Sequence, residues 1–547
     1  MSASSHARWP RLATTGVFLT LVAVYLWVSV RQNGGQFVYA QDDAYIHLAL
    51  ARTFAADGVW GLQRDQFAAA SSSPLWTALL AAMAKVGLTA AWWPFALNVA
   101  AGLLVIWTFD RALRSTVPQR PRFAALVAAL LVLPLPTLAF IGMEHTLHVA
   151  VVIALCTGAV TRLAGGAPDR PWPAGVGLAA LATGIRYEGL FVVAVVVAAC
   201  LWQRARKTAI ALAIAASVFP LAYAAYAVSH GGLPLPNSVL MKSVPARFGS
   251  LGGFMGIVGD WVGVLMLYQR PALAALTLMA LLLAAALTVS RTRSGDPASA
   301  GPSPRSDSVA LISIGLFLGV ALLHVCFVKM EWFFRYEAYV IALGLVAVAL
   351  AIAEVVRMAR MTLAPRVPPL GRRALAACGV VLALPLVTRA AEGALLTVPA
   401  TGEVYRQQYQ MGLFFRDYYQ GDAVALNDIG AVSWLAPVTV VDLIGLATPE
   451  VADARRNDAD DTAFLDALLR RRGARAACVY EYYFSGRRSL PSAWQKVGEW
   501  SIGRSVAVSR ETVAFYAPSD ADALRLRQAL DRFSPRLPRG AAYRPWP

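Results

Sequence analysis

The stretch PLWTALLAAMAKVGLTA, residues 74–90, decides how this chain is threaded. It is apolar enough to be a candidate membrane span. Counting it as a full crossing reverses the side of every loop that follows, so the loop charges can choose between the two threadings. With 74–90 read as a re-entrant or interfacial helix, one set of short loops carries Arg8 and Arg11, then Arg111, Arg114, Arg120 and Arg122, then Arg162 and Arg170. Arg204, Arg206, Lys207, Arg291, Arg293 and Arg305 follow, and the set ends on Arg357, Arg360, Arg366, Arg372 and Arg373, making 19 positive charges. The opposite loops carry far fewer. Basic short loops stay on the cytoplasmic side, so the N-terminus is expected inside and the C-terminal segment outside. If 74–90 crosses, the loop around Arg114 lands outside and the rule fails.

Working outward, apolar runs lie near 12–30, 92–109, 122–140, 145–163, 174–185, 188–201, 208–228, 271–290, 309–328, 337–356 and 374–391. A span takes about 20 apolar residues. The pair 174–185 and 188–201 is short and is split by Arg186 and Glu188, which reads as a hairpin whose tip lies below the lipid surface, inside protein. The first run is read as a retained signal-anchor helix. The chain has 547 residues, 58% hydrophobic and only 15% charged, against roughly 25% charged in soluble domains. Too little charge is present to coat a soluble surface. The net charge is +17, but residues 397–547 hold 19 Lys/Arg and 17 Asp/Glu, about +2, and residues 1–396 hold 30 and 15, or +15. The excess belongs to the membrane part, which argues for topology and against nucleic acid.

The expected fold class is therefore a polytopic α-helical membrane protein of about eleven spans, with a C-terminal α/β extracytoplasmic domain. The domains are 1–396, with an outer loop at 31–91 and a Pro/Gly/Ser-rich cytoplasmic linker at 291–308, and 397–547. The five cysteines form no Cys-x-x-Cys pair, which disfavours a thiol metal site or a disulfide framework.

On this topology the unusual polar residues share one side. They are Asp42, Asp43 and His47 after the first span, Glu144 at the end of the third, Arg186 and Glu188 at the hairpin tip, Asn237 and Lys242 in the loop 229–270, and Arg335 between the ninth and tenth spans. Ionisable groups at membrane depth are costly and point to function. Each also has a plainer reading: Asp42 as a helix N-cap, Arg186 and Glu188 as a mutual pair, Lys242 as a snorkelling side chain. Together, an acidic pair can supply a general base, its second member orienting the first or a divalent cation. Arg and Lys can hold a phosphate, Arg as a fork and Lys as a point charge.

The ordered motifs QDDAYIHLALARTFAADG (41–58), ASSSPLWTALLAAMAKVG (70–87), GMEHTLHVA (142–150), TGIRYEGLF (183–191), LPNSVLMKS (235–243) and WFFRYEAYV (332–340) resemble the GT-C class of polytopic glycosyltransferases that use polyprenyl-phosphate sugars. Within it they look most like the branch holding the mycobacterial arabinofuranosyltransferases. The resemblance covers about residues 36–345, and more weakly 426–447. It implies a juxtamembrane helix pair in the first outer loop and Asp42 and Asp43 as the catalytic acids. It also implies a donor pocket lined by Glu144, Arg186, Glu188, Asn237, Lys242 and Arg335, with His47 beside it. The expected partners are a polyprenyl-phosphate-linked sugar, a cell-envelope glycan, lipid or glycoprotein acceptor, and the bilayer of a bacterial inner membrane. No nucleotide is expected, since no Gly-rich phosphate loop is present. GMEHT departs from the family motif at His145, so the sugar stays open between pentose and hexose. The competing reading is a lipid or glycan transporter, which places polar residues on both sides.

Overall fold

The computed structural model describes residues 8–64, 66–166, 169–242, 252–253, 255–256, 258–259, 263, 271–293, 306–328, 333–362 and 369–547. Most of the linker expected at 291–308 lies outside them. Among the described residues nine helices are long and apolar enough to cross a membrane: Trp9–Gln32, Trp93–Leu113, Gln119–Ile141, His145–Ala164, Arg206–Ser229, Pro271–Ser290, Ser308–Phe327, Ala338–Arg360 and Ala377–Tyr418. Two shorter apolar helices, Pro173–Ile185 and Gly189–Trp202, complete the eleven runs read from the sequence. The chain is a polytopic helical membrane protein with a C-terminal sheet-containing domain.

The deciding stretch forms a helix of 12 residues, Pro74–Lys85. At 1.5 Å per residue it reaches about 18 Å, too short for a hydrocarbon core of about 30 Å. Pro74 sits at its first turn, where a missing N–H costs nothing. It packs on the helix Asp43–Asp57 through Ala51, Trp76, Leu80 and Ala81, giving the expected juxtamembrane pair.

The hairpin is also explained by length. Helices of 13 and 14 residues reach only about 20 Å each. Gly189 lets the second helix start tight against the first, because a Cβ there would run into the Ala182 carbonyl. Ser73 hydrogen-bonds the Ile185 carbonyl, so the outer loop rests on the hairpin tip.

The last long helix runs Pro369–Val404 and continues through a π turn, Tyr405–Tyr409, into Gln410–Tyr418. Position 396/397 thus falls inside a continuous helical rod that enters the C-terminal domain. Pro385 and Pro399 are tolerated within it, since membrane helices re-satisfy freed carbonyls locally. The domain is built on a six-stranded sheet of order β2-β1-β3-β5-β4-β6. Strands β1 (Ala423–Leu426), β2 (Thr439–Asp442) and β3 (Ala474–Val479) run parallel. Strands β4 (Gln495–Ser501), β5 (Thr512–Ala517) and β6 (Ala542–Pro545) add antiparallel edges. Trp500, Phe414, Phe515 and Phe533 stack at its centre with ring centroids 4.8–5.6 Å apart.

Candidate active site

Four separate segments bring charge to one end of the bundle. Arg186, at the hairpin tip, grips Glu188 with two bonds, from Nε at 3.2 Å and Nη2 at 2.5 Å. Its Nη1 pairs with Glu144 and lies 2.8 Å from His145 Nε2. Glu144 in turn stands 4.0 Å from His47 Nε2. The other ring nitrogen of His47 lies 3.0 Å from Thr77 Oγ1 and 3.3 Å from Ser71 Oγ. The two juxtamembrane helices are thereby tied to the start of the fourth apolar helix and the end of the fifth.

Arg335 holds a second centre. Its Nη2 donates to Asp43 Oδ2 at 2.6 Å and to the Tyr336 hydroxyl at 3.1 Å, and its Nη1 lies 2.9 Å from Met143 Sδ. Among the described residues its buried Nε has no partner. Burial works against the Arg335 charge; Tyr336 and Asp43 outweigh it and raise the pKa. The Tyr336 ring joins the two centres, with the Arg335 guanidinium 4.9 Å and that of Arg186 5.9 Å from its centroid.

The adjacent acids do different things. Both Asp42 oxygens accept backbone N–H bonds, from Gly430 at 2.6 Å and Ala431 at 2.7 Å. Asp42 is thus a clamp on the helix Gly430–Leu435 of the C-terminal domain. Burial and the neighbouring Asp428 push its carboxyl up, against the pull of those two bonds. Asp43 is about one-third exposed and faces Arg335. Arg52 strengthens the same junction, donating to the Ser433 and Trp434 carbonyls at 2.9 Å.

The structure therefore brings Asp42, Asp43, His47, Glu144, Arg186, Glu188 and Arg335 to one end of the molecule. Asn237 sits apart: its N–H donates to the Ala69 carbonyl at 3.0 Å and its amide to the Leu446 carbonyl at 3.3 Å. The Lys242 side chain lies outside the described residues. Two contributors were not nominated from the sequence. Glu337 pairs with Arg389 of the last long helix at 2.5 Å; an arginine inside an apolar run was the available signal. Asp428 accepts from Gln408 Nε2 at 2.8 Å and the Tyr480 hydroxyl at 3.0 Å, and burial raises its pKa. Its neighbour Asn427 accepts the Tyr480 N–H at 2.7 Å, and Asp442 closes its own turn onto Ile444 and Ala447. Among the described residues no group of three or more His, Cys, Asp or Glu is arranged to hold a metal ion.

Comparison with known proteins adds three findings. A family model described as a domain of unknown function, DUF8728, matches residues 401–516, the end of the last long helix and most of the sheet. No curated protein matches. Among solved structures, the chain is similar to ArnT from Cupriavidus metallidurans bound to undecaprenyl phosphate, at 14% identity and a TM-score of 0.49, covering 93% of this chain and 99% of that one. It is also similar to the archaeal oligosaccharyltransferase AglB from Archaeoglobus fulgidus, at 12% identity and a TM-score of 0.41, covering 92% of this chain and 74% of that one.

Proposed function

We propose that this protein is an integral-membrane glycosyltransferase that moves one sugar from a polyprenyl-phosphate donor to a cell-envelope acceptor. The observation that carries the reading is the Asp43–Arg335 pair beside the Glu144–Arg186–Glu188 knot. Three carboxylates, Asp43, Glu144 and Glu188, face two guanidiniums at the end of the bundle that the C-terminal domain covers, and Asp42 beside them holds that domain. An excess of acid beside a guanidinium with a donor to spare suits a reaction that removes a proton and releases a phosphate. The motif order, which resembles the GT-C class, supports it independently.

In this reading Asp43 is the general base. The acceptor hydroxyl oxygen forms a bond to the anomeric carbon, and its proton passes to Asp43. The carbon–oxygen bond to the phosphate breaks, and polyprenyl phosphate leaves with the electron pair. Arg335, through its uncommitted Nε, steadies the phosphate, with Lys242 a further candidate cation. All four hydrogen bonds of Arg186 go to Glu188, Glu144 and His145, so its role is to hold the pocket wall in shape. Glu144, His47 and Glu188 complete that wall, and Asn237 fixes the loop beside it. A divalent cation is compatible with the acidic surplus. The loop charges support a bacterial inner-membrane location with the N-terminus cytoplasmic and the C-terminal domain outside.

The test is incubation of the purified chain with a panel of polyprenyl-phosphate pentoses and hexoses, arabinofuranosyl donors first. Release of polyprenyl phosphate with matching glycosylated acceptor supports the proposal. Lipid translocation in vesicles with no cleavage of any donor would establish the transporter reading instead.

A further inference from the structure

A second site lies where the last long helix enters the C-terminal domain. A groove of about 470 Å³ is walled there by Leu395, Pro399 and Arg406 from the helical rod and by Ile502, Arg504 and Val506 from the domain. Among the described residues neither the Arg406 nor the Arg504 side chain makes a hydrogen bond or close ion pair, and Arg406 Nε is buried without an acceptor. The acid on the same wall is already engaged: Glu403 accepts the Val506 and Ala507 N–H groups, each at 2.8 Å. Two guanidiniums without a close acid partner beside a carboxylate held by backbone N–H groups leave a net positive wall, open to an anion.

The surroundings say what completes it. On the same helix Val380, Val381, Leu384, Val387 and Leu395 are 54–72% exposed, an apolar stripe running along a membrane-spanning rod to the groove. The end of the first span packs here too, Gln32 Nε2 donating to the Val398 carbonyl at 3.2 Å. One residue earlier, Arg31 lies 4.3 Å over the Trp27 ring, the aromatic–cationic pairing of a membrane–water boundary. The groove is therefore at headgroup height, with a hydrocarbon-facing track below it.

We propose that this groove seats the phosphate of an anionic bilayer phospholipid, its headgroup forked by Arg406 and Arg504 and its acyl chains lying along the Val380–Leu395 stripe. Guanidinium–phosphate geometry is bidentate, and the occupant would mortar the helical rod to the domain that covers the acid cluster. The site is separate from the Asp43–Arg335 centre and stands whether or not that centre transfers sugar.

The full chain, purified in neutral detergent, is titrated with dioleoylphosphatidylglycerol, dioleoylphosphatidylcholine or undecaprenyl phosphate, and bound lipids are counted by native mass spectrometry. The wild type is expected to retain phosphatidylglycerol over phosphatidylcholine. Arg406→Gln with Arg504→Gln is expected to weaken that retention roughly tenfold or more, as loss of charge-assisted bonds predicts. Arg504 is exposed, so Arg504→Gln alone gives a folded variant that reads the same loss in smaller measure. Unchanged phosphatidylglycerol retention in both variants, equal retention of phosphatidylcholine by the wild type, or arginine-dependent binding of undecaprenyl phosphate alone would each overturn the proposal.

Discussion

Asp42 and Asp43 are neighbours in the chain with different partners, and substitution separates them. Asp42→Asn keeps one oxygen to accept from the Gly430–Ala431 turn, so the variant is expected to fold and retain most activity. Asp42→Ala leaves both N–H groups unpaired and is expected to cost about 2–4 kcal/mol, read as a fall in thermal stability. Arg186 is buried between two carboxylates, so Arg186→Leu is expected to destabilise by about 3–5 kcal/mol, seen as loss of folded protein in detergent. At this scale the sequence named residues that the structure brings to one end of the molecule, but not their different partners. Nothing in QDDAY distinguishes the acid bound by a helix 388 residues away from the acid that faces Arg335.

Among elements, the junction between the helix Asp43–Asp57 and the helix Gly430–Leu435 sets the roof of the site. Gly430 is the residue that permits it, because a Cβ there would run into the Asp42 carbonyl oxygen. Gly430→Ala is expected to loosen the C-terminal domain, with faster proteolysis at the junction while the membrane helices stay intact; unchanged proteolysis would mean the roof is held elsewhere. The juxtamembrane pair and the short hairpin were legible beforehand because length and loop charge are local quantities. Glu337–Arg389 was not, because it joins segments 52 residues apart and only packing reveals it. The same holds for Asp428, whose neighbours Gln408 and Tyr480 come from the π turn 20 residues before it and from the residue after β3, 52 residues beyond it.

At the scale of the whole molecule, charge separates the two ends. The acid cluster and the sheet domain share one end, and the two helix ends that carry Asp110 and Arg122, paired at 3.1 Å, belong to the basic end. Cysteines introduced at Asp520 and Arg204 should be labelled by an impermeant reagent from outside and inside respectively; the reverse would invert the topology. The eleven apolar runs were readable because each span must carry its own hydrophobicity, whereas the order of strands in the sheet depends on long-range pairing that no local pattern records. The central claim concerns one proton and one carboxylate. The most direct measurement is the initial rate of sugar transfer by Asp43→Asn against wild type, with polyprenyl-phosphate binding followed in parallel by native mass spectrometry. Loss of a general base predicts a rate lower by about 10²–10⁴-fold with donor binding retained; a rate within a few-fold of wild type would contradict the account.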